Sequence, residues 1–216
     1  MPRWATGRYH HRPMAERREA PRLLAVLRSV ADTLGHLRVP WALVGGLAVS
    51  VRAEPRFTRD IDLAVAVPDD TAAERLIHRL TSLGFRVMLS LEQGALGRLA
   101  TVRLVPPGEI EEGIVVDLLF ASSGIESEIC RDAERLEVAP GLHVPVALTG
   151  HLIALKILAE APDRQQDALD LRALTRDLSP VERQRALDAL RKITAIGANR
   201  GKRLQADASR WLGTAQ

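Results

Sequence analysis

Residues 41–63 read WALVGGLAVSVRAEPRFTRDIDL. An apolar strand, a Gly-Gly pair, a short helix stopped before Pro55, a basic loop and two aspartates spaced i, i+2 follow one another. Glycine has no Cβ, so Gly45 and Gly46 let backbone come close to a phosphate. The helix start behind them offers N–H donors to the same anion. Strand side chains alternate, so Asp60 and Asp62 point to one face. Two carboxylates converging there suit a hard cation, Mg²⁺ or Mn²⁺, which takes oxygen ligands and shares them with substrate phosphates. The stretch predicts metal-assisted chemistry on a nucleoside triphosphate (NTP).

A third carboxylate stands in IVVDLLF, residues 114–120. Asp117 lies inside an apolar strand, where an unpaired charge is expensive to bury and needs a partner or a metal. If that strand lies beside the Asp60–Asp62 strand, three carboxylates converge and can hold one or two ions. Arg56 and Arg59, just before the aspartates, are placed to neutralise the β- and γ-phosphates and the departing pyrophosphate. Further on, Lys156 sits mid-helix, and Asp163, Asp167 and Asp170 follow on one helix face. Lysine and acids are expected to close over the nucleotide or acceptor from the far side of a cleft. Each part alone has a plainer reading, as a tight turn, a solvated strand end, a snorkelling lysine or a helix cap. The order of the parts selects the functional reading.

The pattern extends outward in both directions. Apolar residues at 23, 24, 27, 30, 31, 34 and 37 predict a helix over 22–37. A helix is expected from Pro68-Asp69 to Leu83, with Gly84 as its stop. Strands are expected over 85–89, 99–105 and 114–120, the last two as an antiparallel hairpin about Pro106-Pro107-Gly108. A short helix at 125–131 and a strand pair around 136–138 and 143–146 follow. From residue 147 the pattern is helical: 147–161, 163–176, 180–194 and 200–213. The expected class is α+β, a mixed sheet with flanking helices and an all-α C-terminal region. The expected division is a basic, flexible tail (1–20), a core (21–146) and a helical lobe (147–216).

Composition excludes several classes. The chain has 216 residues and one cysteine, Cys130, so no internal disulfide forms. No segment approaches the roughly 20 apolar residues of a membrane span, and the N-terminus lacks a signal-peptide core. A cytoplasmic protein is expected. The six histidines show no zinc spacing, and aromatic residues are 3%, too few for a base-stacking platform. The net charge of +3 hides an asymmetry: residues 1–40 and 181–216 each carry +5, which leaves −7 for the middle. Basic ends around an acidic centre suit polyanionic RNA held beside a metal, or simply solvated arginine-rich helix faces. Only three lysines stand against 27 arginines, and Lys156 is the one in the middle.

These residues resemble the DNA polymerase β-like nucleotidyltransferases. Within them the chain is similar to the AbiEii/AbiGii toxins of type IV toxin–antitoxin systems, which include the MenT-like toxins. VGGLAVSVRAEPRFTRDIDLAV is close to the first two family motifs, VVDLLF fits the third, and LIALKILAEAPDRQQDALDL fits the fourth. The resemblance implies triphosphate binding by Gly45 and Gly46 and Mg²⁺ binding by Asp60, Asp62 and Asp117. It also implies a nucleotide-contacting, catalytic pair of Lys156 with Asp167 or Asp170. One position departs: Leu47 stands where many relatives carry Ser or Thr, and Ser50, one turn on, is the substitute hydroxyl. The implied activity is transfer of a nucleotide from NTP to the 3′ end of tRNA, blocking translation, with a cognate antitoxin as partner. Two alternatives stay open. The same fold can serve a protein hydroxyl or an antibiotic as acceptor, or act as a non-catalytic nucleotide-binding regulatory module.

Overall fold

The structure, a computed structural model, describes residues 14–94 and 97–213. Helix α1 (Met14–His36) begins two turns before the expected Arg22 and carries Pro21 inside it. The expected tail is therefore helical from Met14, and its residues 1–13 lie outside the described part. Leu23, Leu27, Val30 and Leu34 form the buried stripe of this helix. Strand β1 (Trp41–Val44) runs directly into α2 (Gly45–Arg52), and β2 (Asp60–Val65) returns antiparallel to β1. Asp69 caps α3 (Asp70–Ser82) by accepting the Ala72 N–H at 2.7 Å.

Strands β3 (Arg86–Gln93), β4 (Arg98–Val105) and β5 (Val115–Leu119) form an antiparallel meander, and β5 then lies parallel to β2. After α4 (Glu126–Asp132), the hairpin β6 (Glu134–Ala139) and β7 (Leu142–Val146) adds to the other edge, with β7 parallel to β1. Among the described residues the result is one seven-stranded mixed sheet in the order β3-β4-β5-β2-β1-β7-β6. Four helices follow: α5 (Thr149–Ala159), α6 (Gln165–Thr175), α7 (Pro180–Ala195) and α8 (Leu204–Leu212). The α+β class and nearly every expected element hold. Strand β3 is the main extension, reaching Gln93 as an edge strand exposed along its length.

Sheet register explains why one face buries its residues and the other does not. Ile61, Leu63, Val102, Leu104, Val116 and Leu118 share a face and are at most 1% exposed. The alternate residues Asp60, Asp62, Asp117 and Arg103 share the opposite face, and Asp62, Asp117 and Arg103 stand in one row across three paired strands. Strand β2 is not covered on both sides along its whole length. It is so covered only from Leu63 to Val65, while its first half borders a cleft.

The helical region is fixed against α2 through α5, which packs on α2, α6, α7 and α8. At the α5–α7 crossing Gly150 is required, because a Cβ there would lie 2.4 Å from the Glu182 carbonyl oxygen. Lys202, before α8, seats its ammonium on the carbonyls of Leu158 (2.8 Å) and Glu160 at the end of α5. This is the favourable place for a cation on a helix. Among the described residues no helix is long and apolar enough to cross a membrane.

Gly150→Ala sets a small gain in helix propensity against backbone overlap. Overpacking of this kind costs about 1–3 kcal/mol, more than the few tenths gained in a first helical turn. A lower midpoint in urea denaturation is expected; an unchanged or higher midpoint would show that α7 yields without cost.

Candidate active site

The turn from β1 into α2 is built around a carboxylate. Gly45 takes a φ of 63°, and a Cβ on it would stand 1.9 Å from Asp62 Oδ2. The Gly46 N–H donates to the same carboxylate. A Cβ on Gly46 would lie 2.4 Å from Arg56 Nη2. Both glycines thus make room for side chains of the site itself. Leu47, at the variant family position, is buried in the core.

Pairing of β2 with β5 sets Asp62 opposite Asp117, with Asp60 two residues back on the same face. The expected convergence of three carboxylates is present. Burial, and after it the charges of Asp117 and Asp60, push the Asp62 carboxyl up to about 6, against the opposing pull of Lys156 and the Gly46 N–H. The neighbouring strand supplies a counter-charge that was not anticipated. Arg103 on β4 donates to both Asp117 oxygens, at 2.8 and 2.6 Å, and comes within 3.6 Å of Asp60. Asp117 in turn raises the guanidinium's already high affinity for its proton. An arginine alternating with apolar residues in the strand expected to pair with IVVDLLF was the available signal.

Across the cleft lies a second, buried network. Lys156 Nζ is 2.8 Å from Asp167 and 2.7 Å from Asp170, and all three side chains are nearly enclosed. Arg56 Nη2 donates to Asp170 at 2.9 Å, and Gln166 donates at 3.0 Å. Burial alone would raise Asp170, but the Lys156 ammonium, Gln166 and Arg56 hold it below the ordinary carboxylate range. Arg164 Nε lies 2.7 Å from the other Asp167 oxygen. These contacts lock α5, α6 and the loop before β2 together. They are worth more for geometry than for stability, since desolvation offsets much of the attraction in a buried ion network.

Between the two networks is a cleft of about 690 Å³ lined by Gly45, Gly46, Arg56, Asp60, Asp62, Arg103, Asp117, Lys156 and Asp167. That volume suits a nucleotide-sized ligand. Arg164 and Arg200 also line it. Arg200 donates to the Ser122 hydroxyl at 2.9 Å, and its own affinity for a proton is lowered by burial and then by Arg164. No periodic or motif signal pointed to Arg200, which sits in the turn before α8.

Three expected residues stand outside the cleft lining. Asp170 acts behind Lys156 and Arg56. The Ser50 hydroxyl donates to the Gly46 carbonyl at 3.1 Å and accepts the Arg56 N–H at 3.2 Å, so it braces the loop between the glycines and Arg56. Arg59 lies over the Phe57 ring and lines a small separate recess. Elsewhere, Glu128, Asp132 and the fully buried His151 bring ligand atoms within 4.8 Å of one another. Lys192 already contacts Glu128, and Arg131 and Arg185 flank Asp132. Burial holds His151 below the usual imidazole range.

The family model described as "Nucleotidyl transferase AbiEii toxin, Type IV TA system" matches residues 29–211. The chain belongs to this AbiEii family. It is a nucleotidyltransferase. No curated protein matches its sequence. Among solved structures it is similar to an antigenic nucleotidyltransferase-like protein from Paracoccidioides brasiliensis, at 18% identity and a TM-score of 0.51. That match covers 88% of this chain and 94% of the other, and it shows a nucleotidyltransferase fold. It is also similar to the nucleotidyltransferase toxin MenT4 from Mycobacterium tuberculosis H37Rv, at 19% identity and a TM-score of 0.48, over 82% of this chain and 66% of that one.

The site of this AbiEii-family chain predicts its own pH dependence. A carboxyl raised to about 6 holds its proton more tightly when folded than when unfolded. Its contribution is therefore favourable in acid and is lost as pH rises from about 4 through 6. Metal-free Asp62→Asn should be more stable than the wild type at pH 8 by roughly 1–2 kcal/mol, discounted because Asp62 keeps some contact with cleft water. The difference should vanish near pH 4 in thermal melts. A loss of stability at pH 8 would show that Asp62 is a structural anion.

Proposed function

We propose that the chain transfers a nucleoside monophosphate from an NTP to the 3′ end of tRNA, as the toxin half of a type IV toxin–antitoxin pair. The three-carboxylate row of Asp60, Asp62 and Asp117 carries this reading. These residues fit Mg²⁺ or Mn²⁺: the donors are all carboxylate oxygens, burial and then the neighbouring acids disfavour the charge on Asp62, and a guanidinium stands in as counter-cation. When bound, such an ion neutralises the triphosphate and lowers the pKa of an attacking hydroxyl.

The chain's own residues then have separable tasks. The Gly45–Gly46 turn lets the triphosphate approach the start of α2, and Arg56 offers it positive charge. Lys156 is held by Asp167 and Asp170 with its ammonium at the cleft wall, where it orients the nucleotide. The acceptor 3′ oxygen bonds to the α-phosphorus, the bond to the β-phosphate bridging oxygen breaks, and pyrophosphate leaves. The hydroxyl proton passes toward the carboxylate row or water. In this reading a core (21–146) and a helical lobe (147–216) form the two walls of the cleft. The basic ends of the chain, +5 each, and Arg164 and Arg200 at the cleft favour a polyanionic acceptor. A cognate antitoxin, acting as repressor or as modifying enzyme, is the expected protein partner.

The test incubates purified protein with Mg²⁺, each labelled NTP in turn, and either total tRNA or protein extract. Label on tRNA, lost by about 10²-fold or more in Asp62→Ala and Lys156→Ala, is expected. Label on protein alone would move the acceptor, and no transfer with intact NTP binding would leave a regulatory module. Growth arrest on expression, relieved by Asp62→Ala, is the expected sign of toxicity.

A further inference from the structure

We propose that Arg103 is the resident cation of the carboxylate row in the nucleotide-free protein, and that it makes metal entry depend on a triphosphate. This rests on the metal–nucleotide reading above and adds a coupling between the two ligands.

The geometry is a closed one. Arg103 occupies both oxygens of Asp117 with two short, charge-assisted bonds and reaches Asp60 at 3.6 Å. A divalent ion seated on Asp117 binds the same two oxygens that the guanidinium already bridges, each with only one further lone pair to give. It also places a second positive centre against the first, and like charges at such range oppose one another strongly away from bulk water. The ion therefore favours displacement of Arg103 from Asp117.

Eviction leaves the guanidinium badly placed. On its own side of the cleft the carboxylates are the same three that the ion takes. Across the cleft, Asp167 is already held by Lys156 and Arg164, and the other lining carboxylate, Asp163, is exposed to water, where an ion pair is weak. The remaining basic groups of the lining, Arg56 and Arg200, repel it. The Arg103 side chain is one-third exposed, so it can swing into the cleft without unpacking the sheet. A triphosphate supplies what is then missing, because its oxygens match the two-pronged donor set of arginine. Metal alone breaks the Arg103–Asp117 pair with no replacement, whereas metal with triphosphate exchanges one anionic partner for another. Binding of each ligand strengthens binding of the other by the same factor. Arg103 is a positioning residue in this scheme: in the free protein it holds Asp117, and its release reports that the nucleotide has arrived.

The measurement is Mn²⁺ affinity by electron paramagnetic resonance, without and with each unreactive α,β-methylene NTP analogue. The wild type should bind Mn²⁺ at least about tenfold more tightly with an analogue than without. Arg103→Gln should bind Mn²⁺ alone about tenfold more tightly than the wild type, and its gain on adding the analogue should shrink to about threefold or less. Arg103→Lys, which keeps the charge but loses the fork, should fall between, and it carries the test if circular dichroism melts show Arg103→Gln to be unfolded. Asp62→Asn identifies the Mn²⁺ signal of this row by abolishing it. Arg103→Gln binding Mn²⁺ alone no more tightly than the wild type overturns the inference while leaving nucleotidyl transfer intact. An equal gain in Arg164→Gln also overturns it, since the effect would then be general charge removal. Wild-type protein that binds neither Mn²⁺ nor any analogue overturns the metal–nucleotide reading itself.

Discussion

The close approach of negative charge around Asp62 is the constraint on which the rest of the structure depends. Parallel pairing of β2 with β5 sets Asp62 beside Asp117, and strand alternation adds Asp60 to the same face. In water such a group would spread apart. Here the sheet's hydrogen bonds and the buried opposite face, from Ile61 to Leu118, hold the three in place. Every neighbouring feature relieves that repulsion or makes room for it. Gly45 lacks the Cβ that would collide with Asp62, the Gly46 N–H reaches the same carboxylate, and Arg103 neutralises Asp117.

The second network shows a different solution to burying charge. Lys156, Asp167, Asp170 and Arg56 balance as two cations and two anions, and Arg164 adds a third cation on the exposed side of Asp167. The carboxylate row has one guanidinium against three acids and stays electrostatically demanding. One side of the cleft is thus internally satisfied and rigid, while the other is chemically receptive. That division follows from the counting of charges and does not require motion of either wall.

The parts that were legible in the sequence are those governed by local rules. Period-2 and period-3.6 patterns, Gly-Gly and Asp-x-Asp spacing do not depend on distant residues, so β1, α2 and β2 followed from them, whereas the convergence of Asp117 was conditional on β5 lying beside β2. The hairpin about Pro106–Gly108 fixed β4 beside β5, yet the consequence for Arg103 needed the register, which one residue of slippage would reverse. Arg200 gave no signal because its place at the cleft comes from a turn between helices and not from any strand or helix phase. Ser50 illustrates the opposite error. One helical turn seemed to bring it to the phosphate, but its hydroxyl is taken by the Gly46 carbonyl and the Arg56 N–H. The extra turns of α1 were missed because Pro21, which cannot donate the i→i−4 hydrogen bond of a helix interior, reads as a boundary, yet the helix runs through it.

The seat of Lys202 on the end of α5 extends the site to a region that carries no motif at all. Lys156 lies within one turn of the carbonyls that this ammonium holds. The turn carrying Lys202 also presents Arg200 to Ser122. A fragment trimmed just after α7 would keep both glycines, all three strand aspartates, the lysine and its acids. It would nonetheless release the far end of the helix on which the lysine rides and remove one arginine from the cleft. The contacts that support the cleft therefore extend well beyond the last recognisable motif.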